Sequence, residues 1–175
     1  LNAEHITNGI NQIKDSAKAA GRPMDSVYTT NLTSGCVLRP GESITSPRVL
    51  RQVGPYAILL LHTNWDPKKM NIGPFAPAEI APLAKRYFEE KIMKMKTPME
   101  KRFQEMHHGH LISLPKEEEH FVTPELIKMS TLTGPPGEII DRIHQLEDAG
   151  VTNIALNVCG TDGREMIREF GNEII

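Results

Sequence analysis

Only two cysteines, Cys36 and Cys159, occur in this 175-residue chain, and they stand too far apart for a C-x-x-C or zinc spacing. The expectation is two reduced thiols in a cytoplasmic protein, buried as small hydrophobes, with no disulfide framework. Long apolar runs are also missing. The longest, residues 56 to 61, falls far short of the ~20 residues that span a bilayer, so no membrane partner is expected. Neither charge sign is in excess: 20 basic and 22 acidic residues leave a formal charge of −2. That balance offers no basic footprint for a nucleic-acid partner. Neither an initiator methionine nor a signal-type apolar segment opens the chain, which begins Leu1-Asn-Ala-Glu-His and reads as the inside of a longer polypeptide. The motifs G-x-S-x-G, G-x-x-x-x-G-K-[ST] and G-x-G-x-x-G are absent too. Hydrolase, P-loop and Rossmann readings lose their anchor with them.

What is present fits one globular domain over residues 1 to 175: 39% hydrophobic and 24% charged residues, with 13 glycines and 13 prolines. A chain of this length buries a real core without metals or disulfides. Ile6, Ile10, Ile13, Ala17 and Ala20 recur at helical steps, and Gly21-Arg-Pro23 ends that helix. Residues 27 to 38 are rich in β-branched types and predict one strand, with Gly35 as a bulge. Ser46-Pro47 then reads as an N-cap with proline in the first turn. Gly54-Pro55 should kink or split the resulting helix before the apolar run at 56 to 61, which suits a buried helix better than a strand.

Proline-rich turns mark residues 66 to 77 as a loop. Beyond it, Ile80, Leu83, Ala84, Tyr87, Phe88, Ile92 and Met95 form a helical stripe, and Thr97-Pro-Met-Glu100 has the form of a capping box for a second helix. Thr123-Pro-Glu125 repeats the start signal. Residues 66 to 130 therefore form a helical insertion between strands. The last third reads most clearly: a helix bearing Ile139, Ile143, Leu146 and Ala149 stops at Gly150, a strand follows over 151 to 158, and a final helix carries Met166, Ile167, Phe170 and Ile174.

Helices feeding strands through short loops predict an α/β fold with parallel strands. Side-chain alternation places Ile154, Leu156 and Val158 on one face of the second strand and Asn153, Ala155 and Asn157 on the other; in the first, Tyr28 and Leu32 oppose Thr29, Asn31 and Thr33. An apolar face suited to a helix and a small polar inner face fit a (β/α)8 barrel. Asn31, Thr33 and Asn157 would then lie nearest its functional C-terminal mouth.

The stretch from Thr131-Leu-Thr-Gly through Leu146-Glu-Asp-Ala-Gly-Val151 to Asn157 resembles the C-terminal αβ unit of the bacterial luciferase-like superfamily. Phe121-Val-Thr-Pro-Glu-Leu-Ile127, leading into Thr131, resembles the branch with methylenetetrahydromethanopterin reductase-like enzymes, and the helix ending Ala-Ala-Gly-Arg-Pro is similar to a late helix of the superfamily. The resemblance implies a barrel that binds FMN or the deazaflavin coenzyme (F-420 type) at its mouth, and a hydride transfer or oxygen activation on a small-molecule substrate. Asn31, Thr33 and Asn157 are the candidate cofactor contacts. A complete barrel typically needs ~250 residues, so the chain is expected to be the C-terminal portion of one. The phosphate-binding loop and catalytic positions would lie upstream of Leu1, and no catalytic residue transfers onto this sequence. Open strand edges make a homo-oligomer, or pairing with another chain, the companion expectation.

His107-His108-Gly109-His110 invites comparison with a metal site, but neighbouring histidines at a helix end are expected to point apart and cap the helix, so no metal is expected. Met93, Met95, Met99 and Met106 read as adaptable packing between helices or as a substrate-facing lid.

Overall fold

The computed structural model describes residues 3–23, 27–63, 65–66, 71–72, 78–160 and 162–175. Helix α1 spans Ala3–Ala19; strands β1 (Thr30–Thr33) and β2 (Gly35–Val37) follow, then helices α2 (Pro47–Ala57) and α3 (Leu59–His62). Short strands β3 (Trp65–Asp66) and β4 (Asn71–Ile72) pair antiparallel; residues 67–70 and 73–77 of the expected loop lie outside the described residues. Next come α4 (Ala81–Tyr87), a π-helical turn Phe88–Ile92, α5 (Arg102–Met106), α6 (Pro124–Ser130), β5 (Leu132–Gly134), α7 (Pro136–Asp148), β6 (Asn153–Leu156) and α8 (Gly163–Glu173).

β1 pairs in parallel with β6, and β2 in parallel with β5. Parallel strands joined through helices establish the α/β class; the described residues form no closed barrel. No helix among them is long and apolar enough to cross a membrane.

The strand expected over 27 to 38 divides at Ser34 into two strands with different partners, and β5, read from sequence as part of a helix lead-in, supplies one of those partners. Three residues are too few to show a period of two, so β5 has no signature of its own. Gly35 sits where the chain changes sheets. A Cβ there would stand 2.5 Å from Phe170 Cζ and 2.7 Å from the Leu132 carbonyl oxygen, so glycine is what lets α8 and β5 approach β2 this closely.

Register also corrects the expected strand faces. Asn31 pairs with Ile154 and Thr33 with Leu156, so these four share a face, while Leu32 and Ala155 share the other. Thr33 is fully buried and Thr29 nearly so, whereas Leu32 is 59% and Tyr28 72% exposed. Hydrogen bonding explains how the polar inner face of β1 tolerates burial. Thr29 Oγ1 donates to Gly150 O at 2.8 Å and Thr33 Oγ1 lies 3.1 Å from Ser130 O, which removes the cost of burying those hydroxyls.

Two cores result. One gathers Val49, Val53 and Ala57, spaced four apart along α2, with Leu61, Ile80, Tyr87, Ile92, Phe121 and Ile127. The other joins Val37, Leu132, Ile139, Leu146, Met166 and Phe170 between β2, β5, α7 and α8. α1 buries Ile10 and Ala17 but leaves Ile13 41% exposed, so only part of its apolar stripe is covered.

Capping follows the sequence at two starts. Ser46 Oγ accepts from Val49 N and Thr123 Oγ1 from Leu126 N, each at 3.3 Å. The third differs: Thr97 hydrogen-bonds Glu105 instead, and Pro98 precedes the 3-10 turn Met99–Lys101 with no side-chain cap. α2 runs through Pro55 and breaks three residues later, at Ile58, held in register by the fully buried Val53 and Ala57. The π turn likewise has a packing cause. Tyr87 and Ile92, five apart, are both buried, and one extra residue in the turn brings them onto one face.

Candidate functional site

The C-terminal ends of β1 and β6 meet through the backbone: Asn157 N donates to Thr33 O at 2.6 Å. Of the three residues that sequence reasoning singled out, Thr33 and Asn157 are thus neighbours along the main chain. Their side chains differ in circumstance. The Thr33 hydroxyl is committed to the Ser130 and Ser34 carbonyls, both at 3.1 Å. Asn157 is half-buried just past the end of β6, and Asn31 shares its face with Ile154. Asn31 Oδ1 is buried without a hydrogen-bond partner, an acceptor that a ligand donor would satisfy.

Tyr56, which the sequence did not single out, reaches this edge from α2. Its hydroxyl donates to Leu32 O at 2.7 Å, and burial, then the neighbouring Cys159, raise its pKa. Cys159 itself lies against Ser34, and burial pushes its thiol up. Cys36 is fully buried and is pushed up by burial to about 12. Both cysteines are free thiols, held neutral.

Past β6 the chain crosses α2. Gly160 N approaches Leu111 O at 3.4 Å, and Arg51 Nε pairs with Asp162 Oδ2 at 3.1 Å. Between them lies a groove of about 400 Å³, lined among others by Leu50, Arg51, Ile112, Ser113, Glu119 and Gly160. That volume suits a small organic ligand.

A second polar centre is buried under the helical excursion. Glu118, 1% exposed, receives the Tyr87 hydroxyl on Oε1 at 3.0 Å, with Lys91 Nζ 3.5 Å from the same oxygen. Its Oε2 faces His62 Nε2 at 3.5 Å. Burial raises the Glu118 pKa, but His62, Lys91 and Tyr87 together hold it below the ordinary value. These four residues come from α3, α4, the π turn and the 3-10 turn Lys116–Phe121. No spacing in the sequence links them; the one available signal was an acid, Glu118, within a helical turn next to the apolar Phe121.

The described residues thus form an α/β protein with a groove of about 400 Å³ past the end of β6. No family model matches the chain. A stretch of 55 residues is 40% identical to a 5,10-methylenetetrahydromethanopterin reductase from Archaeoglobus fulgidus, covering 31% of this chain and 17% of that protein. The chain therefore matches less than a fifth of the relative's length.

Proposed function

We propose that this chain forms the C-terminal part of a luciferase-like oxidoreductase, a portion of a (β/α)8 barrel with a helical insertion at residues 66 to 130. The reaction in this reading is hydride transfer between a deazaflavin coenzyme of the F-420 type, or FMN, and a small organic substrate. The similarity to an oxidoreductase over 55 residues supports it most directly. The bound ring would supply the hydride chemistry, while the protein supplies position and electrostatics. Asn31 fits such a role through its unpartnered buried oxygen, which accepts a hydrogen bond from a ring or ribityl donor. Asn157, just past the end of β6, is a further cofactor contact in this reading, and the Thr33 hydroxyl ties the end of β1 to the end of α6 through Ser130 O. Titration of the full-length protein with each reduced cofactor, followed by absorbance and fluorescence, tests the reading. Saturable binding of one is expected; binding of neither would overturn it.

A second reading has its own observation. An apolar groove of about 670 Å³, lined in part by Ile143, Val151, Ile154, Leu156, Phe170 and Ile174, stays open beside β6. In this reading a second copy of the chain covers it, as open sheet edges invite. Sedimentation decides, since a monomer at micromolar concentration removes the homo-oligomer.

A further inference from the structure

We propose that His62, His107 and His110 form a binding site for one divalent transition-metal ion, zinc foremost. His62 comes from the end of α3, and the other two from the turn after α5. One ring nitrogen from each lies within 4.8 Å of the others. Ring centroids are 5.5 Å apart for His62 and His107, and 5.0 Å for His107 and His110. Zinc holds imidazole nitrogens at about 2.0–2.1 Å, which places three tetrahedral ligands roughly 3.4 Å from one another. Small rotations of the two exposed rings close that difference.

Ring tautomers favour the same outcome. His107 Nδ1 lies 2.6 Å from Phe103 O and donates to it, which leaves the lone pair on Nε2. The buried His62 has Nε2 at ion-pair distance, 3.5 Å, from Glu118 Oε2, and neither of its ring nitrogens has a hydrogen-bond partner. A carboxylate that orients a histidine whose other nitrogen is free is the arrangement that supports metal-bound imidazoles. Tyr87 and Lys91 fix that carboxylate in turn from its other oxygen. Three protein nitrogens leave a fourth position open toward solvent, where two of the rings are exposed. An imidazole set of this kind suits zinc and its borderline neighbours over calcium or magnesium. The site is independent of the cofactor reading.

The test uses untagged, full-length protein stripped with a chelator. Zinc is titrated in competition with a chromophoric chelator, and Co(II) is added separately to read its visible bands. One equivalent is expected, with affinity reduced at least tenfold in His107→Gln and in His110→Gln and unchanged in His144→Gln, whose exposed ring pairs with Glu147 elsewhere. Co(II) bands of tetrahedral type should disappear in the first two variants. Because both substitutions are at exposed positions, folding of the apo variants is checked by thermal unfolding and should match the parent. Absence of a tight equivalent, or an equivalent retained at parental affinity by both variants, would overturn the site.

Discussion

Arg48 Nη1 reaches both oxygens of Glu169, at 3.0 and 2.9 Å, and so ties α2 to α8 across the second core. The same guanidinium donates through Nε to Glu42 Oε1 at 2.9 Å and through Nη2 to Val37 O at 2.8 Å. Its side chain is only 9% exposed, so each of these bonds replaces water that the site does not admit. Arg48→Met should destabilise the chain by about 3–5 kcal/mol, because Glu42 loses its guanidinium partner and Glu169 keeps only the longer, more exposed contact to Arg39. Urea unfolding measures it. In the double variant Arg48→Met/Glu169→Gln the loss should be smaller than the sum of the singles.

Glu42 titrates at about 2 in place of the ordinary 4.5, foremost through its hydrogen bond from Arg48, with burial opposing. A depressed carboxylate gives stability that is complete above the unfolded value and is lost as pH falls toward the folded one. Glu42→Gln should therefore cost about 2 kcal/mol at pH 7. The gap between parent and variant should shrink by half or more at pH 3, in denaturant curves taken at both values.

Gly35→Ala should destabilise by about 2–3 kcal/mol, the range of an overpacked core position. Phe170 can yield, but the Leu132 carbonyl, 2.7 Å from the added carbon, belongs to the β5 ladder. Adding Phe170→Leu should hence restore only part of the loss. Full recovery of the melting temperature would show that the ring alone sets the approach.

Tyr87→Phe removes the hydroxyl that donates to Glu118 Oε1 and keeps the ring against Phe121, whose centroid is 5.0 Å away. A cost of about 1–3 kcal/mol is expected, that of a hydrogen bond to a buried charge. The loss should also raise the Glu118 pKa, so stability should fall earlier on acidification than in the parent.

Neither thiol should react quickly with a disulfide reagent in the native state. Cys36 is held neutral at about 12 and Cys159 is also raised, each by burial foremost. Rapid labelling of both on denaturation, against slow labelling before it, is the expected contrast; fast native labelling of either would mean that the segment burying it opens.

Features that depend on residues three or four apart were readable from the chain. Ser46 and Thr123 cap the helices they announce, α7 buries Ile139 and Leu146 as its periodicity requires, and Gly21 and Gly150 take the left-handed conformation at helix ends. Each is settled within one turn of backbone, so local sequence suffices. The candidate site was legible only as far as the strand ends, where Asn157 does meet Thr33 through the main chain.

Partner choice was settled elsewhere. That β1 and β2 part at Ser34, that Asn31 and Thr33 share their face with Ile154 and Leu156, and that His62 meets Glu118, His107 and His110 all depend on groups dozens of residues away. A threonine is buried when a distant carbonyl accepts its hydrogen bond, and an imidazole becomes a ligand or a packed ring according to what converges on it. The sequence by itself determined the helices, their stops and two free thiols in a chain of balanced charge. Tertiary structure decided which faces are buried and which polar groups meet, because burial and pairing are properties of contacts that only the folded chain creates.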